Sequence, residues 1–168
     1  MAENRGKKFE GVIKEAFLKV PNTSVVRLPD PTNGYLGVRN ISDFIVYHYP
    51  HQYFIECKSV HGNTLSIHSN DPRKRYGNIT NNQWEGMWEM AHINGVIAGV
   101  ICWWVDRDVT KFIPIQTLQW LKDNGYKSVK YTIDDLSVMN IPAKKKRVFF
   151  DYDMNYFFSK IEELDYGR

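Results

Sequence analysis

The stretch Tyr53-Phe54-Ile55-Glu56-Cys57-Lys58-Ser59 predicts, with Gln52 before it, a largely apolar β-strand over 52–59 that carries two opposite charges. Side chains alternate along a strand, so Glu56 and Lys58 project from one face while Ile55 and Cys57 point to the other. The apolar neighbours predict that both faces of the strand are covered, and an unpaired charge in such a place is costly. A carboxylate and an amine therefore flank one point in space.

A second acid comes from the preceding β-rich stretch, Ile41–Tyr49, which is predicted to pair with this strand through a hairpin turn at Pro50-His51. In that hairpin Asp43 lies level with the end of the second strand, beside Glu56 and Lys58. Mg²⁺ prefers oxygen ligands and typically takes one or two carboxylates, with water and substrate phosphate completing its shell. Two acids and an amine in this arrangement predict metal-assisted phosphodiester hydrolysis.

The composition offers a competing interpretation of these charges. In a chain with this many lysines and acids, an acid-x-Lys triplet is expected by chance, and exposed strand faces commonly carry charged pairs. The burial predicted for the strand favours a functional site, and the alternative is a solvated charge pair.

Residues Phe9 to Val20 predict an amphipathic first helix. Their apolar side chains recur at the i, i+3, i+4 spacing of one helix face, and Pro21 then stops the helix. At about 100° per residue, Glu10 projects beside Phe17, at the border of the apolar stripe. An acid at that border can reach the sheet, and the alternative is an ordinary acid on the helix surface.

The segment Thr80-Asn81-Asn82-Gln83 has the T-x-x-Q pattern of a capping box and predicts the start of another helix, which Gly95 ends. Further strands are predicted over 24–28, 96–105, 110–113, 128–133 and 148–152, and further helices over 115–124 and 155–164. Residues 60–79 are predicted to be a long loop. The fold class expected from these elements is α/β, one domain over residues 1–168 with a central mixed sheet flanked by helices.

The 168 residues are 43% apolar and 14% aromatic, which excludes a disordered chain, a collagen-like fibre and a disulfide scaffold. Cys57 and Cys102 lie in apolar runs, which predicts buried free thiols. The polar N-terminus lacks the apolar core of a signal peptide, and the longest apolar run, Val96–Val105, is about half of the ~20 residues that a membrane helix needs. We therefore expect a cytoplasmic protein without a membrane partner, whose net charge of +3 permits an anionic one.

The order of these features resembles the Holliday-junction resolvases of the PD-(D/E)xK nuclease superfamily. Over residues 4–121 the chain has a helix with Glu10, a strand, Asp43, Glu56-Cys57-Lys58, a helix with Gln83 and a strand that ends in Phe112-Ile113-Pro114-Ile115. Asn4-Arg5-Gly6 with Phe9-Glu10 is similar to the start of the bacterial RecU-type enzymes, and Val26-Arg27-Leu28-Pro29 and Lys111-Phe112-Ile113-Pro114 are similar to the archaeal Hjc-type enzymes. Two departures are the missing proline before Asp43 and a RecU stalk shortened to the fourteen residues between Leu28 and Asp43.

The resemblance implies a restriction-endonuclease-like core and a role for each residue. Asp43 and Glu56 would bind Mg²⁺ or Mn²⁺, Glu10 would add a third carboxylate, and Lys58 would act at the scissile phosphate. Gln83 would assist from its helix, and the alternative is that it only caps that helix. The implied function is a metal-dependent endonuclease that resolves four-way DNA junctions as a homodimer, in a bacterial or phage-infected cell.

Basic residues near these elements are candidates for contacts with DNA phosphates, which dominate affinity. They are Arg5, Lys7, Lys8, Arg27, Arg73, Lys74 and Arg75, together with the basic stretch 144–147. The alternative for any single run is a solvated surface. Two other functions stay open: another endonuclease of the superfamily that acts on duplex or flap DNA, and a non-catalytic DNA-binding protein of the same fold.

Overall fold

A computed structural model describes residues 4–29, 40–67, 78–135 and 137–164. Within these ranges the chain forms four α-helices: α1 (Arg5–Leu18), α2 (Asn81–Ala91), α3 (Ile115–Asp123) and α4 (Met154–Leu164). The same ranges contain ten strands: β1 (Thr23–Arg27), β2 (Phe44–His48), β3 (His51–Val60), β4 (Thr64–Ser66), β5 (Val96–Trp104), β6 (Val109–Pro114), β7 (Ser128–Lys130), β8 (Met139–Asn140), β9 (Ala143–Lys145) and β10 (Phe150–Tyr152). None of these helices has the length and apolar character needed to cross a membrane.

Six strands form one mixed sheet in the order β1-β2-β3-β5-β6-β8. β3 is antiparallel to β2 and parallel to β5, and the other neighbours are antiparallel. The remaining strands form two small sheets, β4 with β7 and β9 with β10. The α/β class with a central mixed sheet flanked by helices is therefore confirmed, and so is the order of a helix, three strands, a second helix and a further strand. The structure adds that the first three strands form a meander and that β5 is parallel to β3.

The main sheet separates two apolar layers, so β3 is covered on both faces as its sequence predicts. On one face Ile55 and Cys57 pack with apolar residues of α1 and α4. On the other face Phe54 and Val60 pack with apolar residues of α2 and α3. The thiols of Cys57 and Cys102 are free and buried, which confirms the interpretation of the two cysteines.

The differences from the predicted elements come mainly from pairing between distant segments. Residues 60–79, predicted to be a loop, contain β4. Of the strand predicted over 128–133, only residues 128–130 form a strand, β7, which pairs with β4. A three-residue strand stabilised by a distant partner has no local pattern of its own. The hairpin turn is Tyr49-Pro50 because His51 pairs with His48. Residues 68–77 of the predicted loop, and residues 30–39, where the shortened stalk was expected, lie outside the described residues.

Helix α2 positions the segment that leads to Asp43. Asn82 Nδ2 donates a hydrogen bond to the backbone carbonyl of Asn40 (3.2 Å). One helical turn later Gly86 lies so close to Ile41 that a Cβ at Gly86 would overlap the Ile41 side chain. The absence of a side chain at Gly86 is therefore what lets this segment approach α2.

We expect Gly86→Ala to destabilise the fold by about 1–3 kcal/mol, because the added methyl group displaces Ile41. Gly11 in α1 is the matched control, since a Cβ built there has no neighbouring atom within 4 Å. Gly11→Ala should stabilise the fold by roughly 0.5–1 kcal/mol through helix propensity. Urea unfolding measures both effects, and a Gly86→Ala midpoint equal to that of the wild type would contradict the close packing.

Candidate active site

Asp43 lies where β2 separates from β3. Its backbone is hydrogen-bonded on both sides: the N–H donates to the carbonyl of Ile55 (3.1 Å), and the carbonyl accepts from the N–H of Leu28 (2.8 Å). Ladder pairing of β2 with β3 ends at the Phe44–Ile55 pair, and the Cys57 N–H donates instead to Asp43 Oδ2 (2.7 Å). The carboxylate thus takes the place of a strand partner and lies level with Glu56, as the hairpin register predicts.

The Glu56 carboxylate is buried, with 3% of the side chain exposed, and its two oxygens have different surroundings. Oε1 accepts hydrogen bonds from Lys58 Nζ and from Gln83 Nε2, each at 2.8 Å. Oε2 is buried and has no hydrogen-bond partner in the part of the chain that the structure describes. The carboxylate is therefore held through one oxygen and keeps the other unsatisfied, which is costly for a buried acceptor.

Gln83 both caps α2 and binds the site. Its Oε1 accepts from the Thr80 N–H (3.0 Å), and its N–H donates to Thr80 Oγ1 (3.2 Å), which completes the predicted capping box. The Nε2 of the same side chain donates to Glu56. The two interpretations of Gln83 are compatible because a side-chain amide has an acceptor for the helix end and donors for the carboxylate.

Glu10 lies at the border of the buried stripe of α1, with 17% of its side chain exposed, as the helix periodicity predicts. Its Oε2 accepts from Arg27 Nη2 of β1 at 2.9 Å. The charge of Glu10 also acts on Asp43 and on Glu56. Arg27, predicted from the sequence as a DNA contact, is therefore the ion-pair partner of a third acid at the site.

Burial raises the pKa values of the two central acids. Loss of solvation and the nearby charge of Glu56 raise the pKa of Asp43 from 3.8 to about 7, although the hydrogen bond from Cys57 opposes this shift. Loss of solvation also raises the pKa of Glu56 above its usual value, and the Lys58 ammonium opposes that shift. Carboxylates placed this closely repel one another when ionised, so a bound cation would lower the energy of the charged site.

The donor set fits a hard divalent cation. Asp43 and Glu56 supply carboxylate oxygens, the ligand type that Mg²⁺ and Mn²⁺ bind, and the unpartnered Glu56 Oε2 is the atom that a cation would satisfy. The described residues contain no group of three or more His, Cys, Asp or Glu side chains arranged to hold a metal, and Glu10 binds Arg27. An open site of two carboxylates suits an ion that completes its shell with water and substrate.

A chain of contacts that the sequence analysis missed links Arg5, His61 and Asp106. Arg5 Nη1 contacts His61 Nε2 at 2.9 Å, and His61 Nδ1 contacts Asp106 Oδ1 at 3.1 Å. Arginine only donates, so His61 accepts at Nε2 and donates from Nδ1 to Asp106. The partners of His61 are 56 and 45 residues away along the chain, so the only local signal was its position two residues after the predicted strand.

The structure brings together five of the predicted site residues, namely Glu10, Asp43, Glu56, Lys58 and Gln83. Of the predicted DNA contacts, Arg5, Lys7 and Lys8 are exposed on the first turn of α1, and Arg27 lies at the site. Arg73, Lys74 and Arg75 lie outside the described residues. The catalytic, metal-binding and DNA-binding roles of all these residues stay predictions.

The sequence matches no protein-family model and no curated protein. Among solved structures, the chain is similar to Hjc, a Holliday junction resolvase from the archaeal hyperthermophile Archaeoglobus fulgidus. The two chains share 17% sequence identity, the match covers 68% of this chain and 78% of that chain, and the TM-score is 0.42. At this distance the interpretation of the site depends on its own side chains.

We expect Asp43→Asn to stabilise the metal-free protein above pH 7. Folding raises the pKa of Asp43 to about 7, so the folded protein binds a proton that the unfolded chain releases near its ordinary pKa of 3.8. Stability therefore falls as the pH rises between these two values. Asparagine keeps an acceptor for the Cys57 N–H but carries no charge.

The free energy of unfolding of Asp43→Asn should exceed that of the wild type by at least about 1 kcal/mol at pH 8 in EDTA, which corresponds to roughly 2–4 °C in Tm. The difference should vanish near pH 4. Thermal unfolding across this pH range measures it. Glu85→Gln, at an exposed position of α2, is the control for the loss of one negative charge. A lower Tm for Asp43→Asn than for the wild type at pH 8 would contradict the electrostatic description of the site.

Proposed function

We propose that this protein is a metal-dependent endonuclease that hydrolyses DNA phosphodiesters and resolves four-way junctions. The observation that carries the proposal is the convergence of Asp43, Glu56 and Lys58 where β2 leaves β3. Two carboxylates and an ammonium in a largely buried setting supply what phosphodiester hydrolysis needs, which is a place for a divalent cation and a fixed positive charge.

Asp43 and Glu56 would hold the cation, Mg²⁺ or Mn²⁺, and Glu10 would be the third carboxylate. When bound there, the cation would lower the pKa of a water molecule and neutralise charge on the phosphodiester. The ion pair of Glu10 with Arg27 has to open for Glu10 to serve in this way. Arg27 would then be able to bind a DNA phosphate, the role that the sequence predicts for it.

Lys58 is the group placed to contact the scissile phosphate. Its ammonium is bound to Glu56 Oε1 and its side chain is 20% exposed, so a second N–H can reach a phosphate oxygen. There it would stabilise the negative charge that develops on the phosphate oxygens while water attacks phosphorus and the P–O bond to the leaving oxygen breaks. Gln83 and the backbone N–H of Cys57 act as positioning groups, because they hold Glu56 and Asp43 in place.

The four-way junction as the substrate and the homodimer as the oligomeric state are proposed because the sequence over residues 4–121 resembles the junction resolvases. Resolution of a junction requires two coordinated cuts, and two copies of one chain supply two equivalent sites. The same groups could hydrolyse duplex or flap DNA, so the substrate is to be decided by comparison of cleavage rates. The cytoplasm of a bacterial or phage-infected cell is the proposed setting.

We expect the wild-type protein to cut a synthetic four-way junction with Mg²⁺ or Mn²⁺ and not in EDTA. Asp43→Ala and Glu56→Ala should lower the cleavage rate by roughly 1,000-fold or more, and Lys58→Ala by roughly 100- to 1,000-fold. Junction binding, measured by fluorescence anisotropy, should be retained in all three variants. Full activity in any of them would show that its role is wrongly assigned.

A linear duplex of the same sequence is the matched substrate control. Faster cleavage of the junction supports a resolvase, and equal or faster cleavage of the duplex indicates an endonuclease of other specificity. Metal-independent DNA binding without cleavage at any divalent ion concentration would indicate a non-catalytic DNA-binding protein.

Gln83→Ala and Thr80→Ala separate the positioning of Glu56 from the capping of α2. Each variant removes one side chain of the capping box and should cost about 0.5–2 kcal/mol of stability. Only Gln83→Ala also removes the donor to Glu56. Because a hydrogen bond to a charged group contributes about 1.5–3 kcal/mol, we expect cleavage by Gln83→Ala to be roughly 10-fold or more slower than by Thr80→Ala. Equal single-turnover rates would mean that Gln83 only caps its helix.

A further inference from the structure

We infer that the β9–β10 hairpin is a second DNA-binding element, which contacts the phosphate backbone of a duplex arm beyond the proposed cleavage site. The inference rests on the proposed function and assigns a partner to a surface outside the active site. The hairpin carries Lys144-Lys145-Lys146-Arg147 as one run, and residues 142–148 are exposed. Lysine and arginine side chains on an exposed ribbon are suited to phosphate binding.

The hairpin is held rigidly on the protein core. Phe149 and Phe150 pack on Trp103, with ring centroids 5.7 and 6.0 Å apart. The Tyr152 hydroxyl is hydrogen-bonded to the Thr110 hydroxyl at 2.7 Å in the buried layer. A basic run on a fixed ribbon loses less conformational freedom on binding than the same run on a flexible loop, so these cations are pre-positioned.

Two ion pairs fix the hairpin near its base and near its tip. Near its base, Asp151 binds Lys19, which directly follows α1, at 2.6 Å. Near its tip, Lys145 binds Asp108, in the turn between β5 and β6, at 2.6 Å. The tip of the hairpin therefore points toward the end of the sheet where β5 ends.

This end of the sheet is also the end of β3, the strand that carries the active site. Asp106 of the same β5–β6 turn accepts hydrogen bonds from His61 and from the Gly62 N–H, which follow β3 directly. Val100 is opposite Glu56 in the parallel ladder and lies four residues before the end of β5, a distance of about 13 Å. With the turn added, the hairpin tip lies roughly 20 Å from the site along the strand direction, the length of about six base pairs, and it packs on the face of the sheet opposite to that of Glu56 and Lys58.

The cations at the tip are available to an anionic partner. Asp151 and Asp108 are paired with Lys19 and Lys145, whereas Lys146 and Arg147 make no ion pair within the described ranges. Val148, 61% exposed at the apex, is the single large apolar side chain exposed in the hairpin, too little for insertion into a membrane. A duplex that leaves the active site and passes the end of the sheet is therefore the partner that we propose for this surface.

The test compares two double variants that remove the same charge. Lys146→Gln/Arg147→Gln alters the hairpin tip, and Lys127→Gln/Lys130→Gln alters exposed lysines at β7, which packs in the layer that Glu56 and Lys58 face. Binding to a junction with arms of about twelve base pairs should weaken roughly 10- to 100-fold at 0.1 M salt in the hairpin variant only. For the hairpin variant, the slope of log affinity against log salt concentration should decrease in magnitude by about 2. With arms of about four base pairs, which end before the hairpin, the two variants should bind equally.

The outcomes distinguish this inference from the proposed function. If the wild-type protein cleaves DNA but both double variants bind with equal affinity and equal salt dependence, the hairpin assignment is wrong and the proposed nuclease function is supported. If the hairpin variant is weakened equally on long and short arms, the contact is not on the distal duplex and the inference fails. If the wild-type protein neither binds nor cleaves DNA, both are wrong. Thermal unfolding of each variant confirms that it is folded.

Discussion

The site depends on one hydrogen bond at the end of the β2–β3 ladder, in which a side-chain carboxylate accepts from a backbone N–H in place of a strand carbonyl. β2 pairs with β3 as far as the Phe44–Ile55 pair, and beyond it the Cys57 N–H is satisfied by the carboxylate of Asp43. A buried N–H without a partner costs about as much as a lost hydrogen bond, so the backbone itself requires an acceptor at this place. The requirement fixes Asp43 level with Glu56. The polar chemistry is therefore built on the strand register and does not depend on a flexible loop.

The three acids are each compensated by a group from a different part of the chain. Glu10 has Arg27, Asp43 has a backbone N–H, and Glu56 has Lys58 and Gln83 on a single oxygen. Burial, and after it the charge of Glu56, raises the pKa of Asp43, and Glu56 Oε2 has no hydrogen-bond partner among the described residues, so the charged forms of both acids are incompletely stabilised. Such a site lowers stability in the absence of a cation, and a functional site typically departs from the most stable arrangement in this way.

Most of the fold could be predicted from local patterns, because helix periodicity and strand alternation are properties of neighbouring residues. The apolar spacing from Phe9 gives α1, and the T-x-x-Q segment gives the start of α2. The placement of Asp43 beside Glu56 followed from the hairpin alone. The pairing of β4 with β7, and the contacts of Glu10 with Arg27 and of His61 with Asp106, could not be predicted. Each of these joins separate elements, so it exists only after the tertiary packing has formed, and no spacing in the sequence encodes it.

The buried thiol of Cys57 is a natural probe of how often β3 becomes accessible to solvent. Cys57 lies between Glu56 and Lys58 in sequence, on the opposite face of β3, and burial raises its pKa well above the usual value. A thiol reagent reacts with the thiolate, so alkylation of Cys57 requires that β3 first become accessible. Measured at Cys57 separately from Cys102, the second buried thiol, the labelling rate thus reports how often the strand that carries the charged side chains is uncovered. Any cation or nucleic acid that tightens this strand will slow the labelling, without a dye or an engineered cysteine.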